Sequence, residues 1–135
     1  MSTYREVEEL VLALPETTSS PSYHASPALR VNKKMLARLR VEMAEEYDEV
    51  TGGPYGEVLM LKVADLGEKE ALLTSDPRVF FTVPHYDGYA AVLVRLALVS
   101  DKELRELVTE SWMNLAPKRA LKSYVNQGGV LPGGG

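Results

Sequence analysis

Few side chains in this sequence are equipped for covalent or metal chemistry. His24 and His85 are the only histidines, and none of the 135 residues is a cysteine. Disulfides, thiolate metal centres and thiol nucleophiles are therefore excluded together. A serine nucleophile needs a base within hydrogen-bond reach. Ser22 and Ser26 flank His24 two residues away on either side, a spacing that in a strand would turn all three side chains to one face. No Gly-x-Ser-x-Gly turn accompanies them, and serine at this density marks a polar loop. His85 and Asp87 form a His-x-Asp pair, and Glu6 and Glu9 lie one helical turn apart. Neither pair has the ligand set of a zinc or iron centre. Gly52-Gly53-Pro54-Tyr55-Gly56 is glycine-dense, but it lacks a Gly-Lys-Ser/Thr ending and precedes a strand, so it reads as a loop and not as a phosphate cradle. The expectation is a protein without catalytic residues, metal or cofactor.

Charge is the more informative feature. Arg30, Lys33, Lys34, Arg38 and Arg40 follow one another with no acid between them, and Glu42, Glu45, Glu46, Asp48 and Glu49 come directly after. A hairpin so charged can lie along a phosphate backbone or enter a groove as a wing. The same side chains can instead solvate an exposed sheet and pair with the acids that follow, and a net charge of -4 supplies no long-range attraction to a polyanion. Lys118, Arg119 and Lys122 form a second basic group, either as further phosphate contacts or as charge complementing a helix dipole. A separate candidate is the turn Pro84-His85-Tyr86-Asp87-Gly88-Tyr89. Its His85, Tyr86, Asp87 and Tyr89, with Arg95 on the next strand, could line a pocket for a small anion or aromatic ligand. The competing reading is a tight turn in which Gly88 supplies backbone freedom.

The elements that must position these groups are legible from spacing. Thr3-x-x-Glu6 is a capping box opening a helix that carries Tyr4, Val7, Leu10, Val11 and Leu14 and stops at Pro15. Glu16 to Pro27 reads as a loop, with a short strand allowed at Tyr23-His24. Ala28–Val31 and Lys34–Val41 form a hairpin through Asn32-Lys33, with Met35, Ala37, Leu39 and Val41 on one face and Lys34, Leu36, Arg38 and Arg40 on the other. Val58–Val63 is an apolar central strand, Asp65–Leu73 a short helix, and Val79–Val83 and Tyr89–Val99 two further strands. Ser100-x-x-Glu103 opens a helix carrying Leu104, Leu107, Val108, Ser111 and Trp112; after Pro117, Lys118–Val125 resumes as a turn or helix. The order α-β-β-β-α-β-β-α predicts the α+β class, with a single antiparallel β-sheet of about five strands and helices packed on one face. One domain is expected over residues 1–125, followed by a flexible glycine-rich tail over 126–135. The apolar runs are too short to span a bilayer. The first residues lack the order of a signal peptide, so a cytoplasmic location is expected.

Several of these segments resemble a known family. Phe80-Phe81-Thr82-Val83-Pro84-His85-Tyr86-Asp87-Gly88-Tyr89 with Val92-Leu93-Val94-Arg95-Leu96 looks like the central block of the MmcQ/YjbR family. Leu104-Arg105-Glu106-Leu107, Trp112 and Ala116-Pro117-Lys118-Arg119 resemble its closing helix, and Ala13-Leu14-Pro15, Ala28-Leu29-Arg30-Val31 and Leu36-Ala37-Arg38-Leu39 its opening helix and first hairpin. The resemblance implies a CyaY-like α+β fold and a DNA-binding role by analogy with a double-wing shape, with no catalytic residues to carry over. Two departures stand out. Asn32-Lys33 occupies a turn where the family usually has glycine, which adds a charge at the tip, and His24 stands where the family often has glycine. The expected function is non-catalytic DNA binding through the basic hairpin, with DNA as a weakly held, sequence-tolerant partner. The alternative is a small-ligand or protein-interaction module using the sheet and the His85–Tyr89 turn.

Overall fold

The computed structural model describes residues 2–21 and 26–131. Ser22, Tyr23 and His24, to which the sequence reading assigns a short strand and a serine–histidine grouping, lie outside the described residues, as do residues 132–135. In chain order the elements are α1 (Tyr4–Leu12), β1 (Thr17–Pro21), β2 (Pro27–Val31), β3 (Lys34–Leu39), β4 (Tyr47–Asp48), β5 (Gly53–Pro54), β6 (Val58–Lys62), α2 (Leu66–Ser75), β7 (Phe80–Phe81), β8 (Ala91–Arg95), α3 (Asp101–Leu115) and α4 (Lys118–Asn126). Thr3 and Ser100 each cap their helix: the Glu6 N–H donates to Thr3 Oγ1 at 3.3 Å, and the Glu103 N–H to Ser100 Oγ at 3.1 Å, the hydroxyl half of each expected capping box. Asp65 caps α2 in the same way through the Glu68 N–H at 2.8 Å.

Six strands make one antiparallel sheet in the order β1-β2-β3-β6-β8-β7, and β4 with β5 forms a separate two-stranded ribbon. The sixth strand is β1, which lies in the stretch read from sequence as loop. Serine and proline suggested a turn there, but Thr17 and Thr18 suit a pleated edge, and Pro21 ends a strand whose outer side needs no partner. The two C-terminal strands are shorter than expected. β7 is two residues, and β8 gives way after Arg95 to turns.

The faces of the sheet are covered differently. One face packs under α1 and α3, with Val7, Val11, Leu29, Leu36, Leu59, Leu61, Val92, Val94, Leu104 and Trp112 in a single core. The other carries a smaller apolar cluster of Met43, Val58, Met60, Tyr86, Ala91 and Leu93. β6 and β8 are buried on both faces, which is why they read as unbroken apolar runs. Asn32 has φ 54°, as the hairpin turn requires.

The strict alternation expected for the second arm of that hairpin does not hold. Leu29 pairs with Ala37 but Arg30 pairs with Met35, so Leu36 is an extra residue in a bulge. Leu36 and Ala37 both enter the helix-side core, while Met35 joins the opposite face. The bulge therefore separates Lys34, opposite Val31, from Arg38, opposite Met60.

Two polar contacts fix the loops over the second face. Arg95, 4% exposed on β8, donates from Nε to Asp48 Oδ2 at 2.6 Å and from Nη2 to Asp48 Oδ1 at 3.0 Å, with Nη1 on the Arg78 carbonyl at 2.9 Å. Its guanidinium lies 4.2 Å from the Phe81 ring centre, and Phe81 stacks on Tyr55. This bidentate, buried pair staples the segment between β3 and β6 onto β8. Lys69 on α2, 7% exposed, donates from Nζ to the carbonyls of Tyr86 at 2.6 Å and Tyr89 at 3.0 Å. It holds the turn between β7 and β8, whose 3-10 helix spans Pro84–Tyr86 and whose Gly88 has φ 78°. At the C-terminal end Tyr124 packs on Trp112, and the chain crosses the Tyr124 ring so closely that a Cβ on Gly129 would lie 2.4 Å from it. Among the described residues no helix is long and apolar enough to cross a membrane.

The Asp48 carboxyl is held below its ordinary range, chiefly by the hydrogen bonds from Arg95. A depressed carboxyl contributes stability that is complete above its unfolded pKa of about 3.9 and is lost as pH falls through the folded value. Asp48→Asn is therefore expected to cost about 3–5 kcal/mol at pH 7 by leaving Arg95 unpaired. Its urea midpoint should also fall less steeply than wild type between pH 5 and 2.5; parallel acid limbs would contradict this assignment. Lys69→Met is expected to cost about 2 kcal/mol and to speed amide exchange at Tyr86, Asp87 and Tyr89 while leaving α1 and α3 protected. Uniformly faster exchange would mean that Lys69 supports the whole fold rather than the turn.

Candidate functional site

The helix-free face of the sheet, with the turn held by Lys69 on one side and the segment stapled by Asp48 on the other, encloses a groove of about 890 Å³. Its floor is Met35, Met60 and Ala91, from three neighbouring strands. It is also lined by Arg38, Arg40 and Glu42 from β3 and the segment after it, by His85, Tyr86 and Tyr89 from the turn after β7, and by Lys62 at the end of β6. Strand alternation after the bulge places Arg38 and Arg40 together on this face. The Pro84–Tyr86 helical turn presents His85 and Tyr86, whose rings meet edge to face at 4.8 Å.

Cations and rings are interleaved in this groove. The Arg40 guanidinium lies 5.2 Å from the Tyr86 ring centre and Lys62 Nζ lies 5.6 Å from that of Tyr89, both within cation–π range. Tyr89 is 58% exposed, so one flat ring faces solvent. Arg38 Nη2 donates to Glu42 Oε1 at 3.1 Å, and Arg40 Nε donates to the same oxygen. Burial pushes the Glu42 carboxyl up, but its own backbone N–H and the two guanidiniums outweigh that and hold it below the ordinary range. A carboxylate is thus already seated between the two arginines, which makes the groove a place where an oxyanion is stable.

The sequence-derived candidates distribute unevenly around this groove. Of the basic hairpin, only Arg38 and Arg40 line it. Arg30, opposite Met35, lies on the same sheet face but outside the groove. Lys33 is exposed at the turn, and Lys34 stands on the helix side beside Leu115 and Pro117. The expected unbroken patch over residues 30–40 is therefore divided between two faces by the bulge and partly neutralised by Glu42. Lys118 and Lys122 are exposed on α4, and Arg119 is paired with Glu16 at 2.7 and 2.8 Å, well away from the groove. Of the second candidate set, His85, Tyr86 and Tyr89 come together. Asp87 is exposed in the turn and does not line the groove, and Arg95, at the other end of β8, is consumed by Asp48.

Sequence reasoning missed Lys62, Met35, Met60, Ser26 and Glu42 as groove residues. The signal for Lys62 was present: a lone cation two residues after Met60 in an otherwise apolar strand has to lie on the face that Met60 occupies. Glu42 lay just past a strand end and carried none. Among the described residues no group of three or more His, Asp and Glu side chains is placed to hold a metal ion.

Known proteins resemble this chain along nearly all of its length. The family model described as YjbR matches residues 12–114. Uncharacterized protein Mb2600 of Mycobacterium bovis and uncharacterized protein Rv2570 of Mycobacterium tuberculosis are each 36% identical over 133 residues, covering 96% of this chain and all of the relative. Among solved structures, the crystal structure of Deinococcus radiodurans protein DR2400, a DUF419 domain, aligns with a TM-score of 0.68 and 19% identity over 100% of this chain and 96% of that one. At that identity the likeness is one of fold, and it agrees with the α+β architecture described above. The family match spans every strand of the sheet and the relatives align end to end, and on that ground the chain belongs to the MmcQ/YjbR family.

Proposed function

We propose that this domain is a non-catalytic binding module that takes a nucleotide-type ligand, a phosphate joined to a flat ring, in the groove on the helix-free face. The observation that carries this reading is the convergence of Arg38, Arg40 and Lys62 with Tyr86 and Tyr89 over a floor of Met35, Met60 and Ala91. Arginines suit phosphate oxygens, an exposed tyrosine offers a stacking surface, and a methionine floor accepts apolar faces without fixed shape. Nothing in this reading transfers a group. In it the polar groups of the groove serve to orient and hold.

The same chemistry is supplied by a free nucleotide and by a nucleic-acid strand, and binding measurements separate them. Fluorescence anisotropy with a labelled oligothymidylate, a labelled duplex and competing thymidine monophosphate is the direct test. Contacts through two or three cations predict a log–log salt slope of roughly -1.4 to -2.1 on single strands, whereas all five cations of residues 30–40 on duplex would give roughly -4.5. Arg40→Gln and Tyr89→Ala are each expected to weaken binding about tenfold, and Lys33→Glu or Lys122→Glu to change it less than twofold. Strong duplex binding that is lost in Lys33→Glu would replace the groove with the tip of the basic hairpin. Absence of binding to all three at low salt would end the reading.

A further inference from the structure

The cations and the anion of the groove are held with unequal firmness. The side chains of Arg38 and Arg40 are only 16% and 12% exposed. Arg38 sits in the sheet between Ala28 and Met60. Arg40 donates its backbone N–H to the Val58 carbonyl at 2.8 Å, and its guanidinium rests on the Tyr86 ring. Glu42 is different. It belongs to the three-residue 3-10 turn Val41–Met43, its side chain is 45% exposed, and one oxygen, Oε1, accepts from both guanidiniums. Asp48, by contrast, is buried and places both oxygens on Arg95. The fold therefore holds one permanent carboxylate–arginine pair and one replaceable contact, and the replaceable one lies in the groove.

We infer that Glu42 is a tethered stand-in for the ligand's phosphate: it covers Arg38 and Arg40 in the unliganded protein and swings into solvent when the phosphate arrives. This rests on the reading of the groove as a nucleotide-type site and names how that site is regulated. Each arginine gives Glu42 one N–H, whereas a guanidinium fork can give an oxyanion two. A phosphate monoester brings three terminal oxygens where Glu42 brings one, so it reaches more of the two forks and meets them without a competing anion. The exchange needs only rotation of the Glu42 side chain, since the adjacent Met43 stays in the core. A ligand whose site is mostly covered binds with an affinity reduced by the open fraction. Two ion pairs with an exposed partner, at the strength usual for such pairs, leave the arginines uncovered about one-fifth of the time.

The test is a titration with thymidine 5'-monophosphate at pH 7.5 and low salt, read by calorimetry and by carbon-13 NMR of glutamate-labelled protein. The Glu42 carboxyl signal is assigned by its loss in Glu42→Gln. In wild type that signal is expected to move toward those of the exposed Glu45 and Glu46 as the ligand saturates, and Glu42→Gln is expected to bind about fivefold more tightly. Glu45→Gln removes an equal charge from the same exposed segment and is expected to change affinity less than twofold. A Glu42 carboxyl signal that stays in place while the ligand binds, or Glu42→Gln binding no more tightly than Glu45→Gln, overturns the stand-in. If Arg40→Gln and Tyr89→Ala still weaken binding in that event, the groove reading survives alone; if they do not, it falls as well. If neither wild type nor Glu42→Gln binds the monophosphate, both proposals fail.

Discussion

A guanidinium on a buried strand must be paired, and this constraint organises one half of the molecule. Val58 and Arg95 are cross-strand partners between β6 and β8, so Arg95 projects onto the helix-free face where little else covers it. Asp48 answers that charge from the segment between β3 and β6, with Val50 N–H donating to the same carboxylate at 2.9 Å and the Phe81 ring closing over the pair. Because the partner comes from a loop, pairing the charge also positions the loop. Val41 and Glu42, in the same segment, then stand at the wall of the groove. The acidic run after the basic hairpin thus performs two tasks. Asp48 is buried and structural, Glu42 sits against the arginines, and Glu45, Glu46 and Glu49 remain in solvent.

Lys69 plays the corresponding part on the other side. It comes from α2, an element with little apolar patterning, and reaches two carbonyls of the turn after β7. The segment after β3 and the turn after β7 are therefore irregular backbone, each tied to the fold by a long cationic side chain, while the floor is regular sheet. Such a division gives a stiff base with adjustable rims, the arrangement in which binding residues commonly sit on loops carried by a rigid scaffold.

Much of the fold was legible because local rules acted alone. The N-caps at Thr3 and Ser100, the positive φ at Asn32 and the doubly buried run of β6 each follow from a few adjacent residues. What escaped was set by partners distant in sequence. β1 exists because β2 offers it a hydrogen-bonding edge, an effect invisible in Thr17-Thr18-Ser19-Ser20 itself. Arg95 could not be distinguished from a ligand-binding arginine without knowing that Asp48 lies against it. Of the two candidate sites read from the sequence, the groove draws Arg38 and Arg40 from one and His85, Tyr86 and Tyr89 from the other. Neither segment reveals that the two sets face each other, because that juxtaposition is made by the order in which the strands pair.

The bulge at Leu36 has a wider meaning. In a pleated ribbon one additional residue is a half-period shift, so side chains before and after it belong to opposite phases of the same wave. Whether a cation near this hairpin points into the groove or toward the helices is decided by counting residues from the bulge, not from the turn. Relatives in which that extra residue is missing would carry the same basic letters in the same columns and show them to different surroundings. Within such a lineage, a one-residue insertion or deletion here would redirect binding chemistry more thoroughly than the exchange of any single charged side chain.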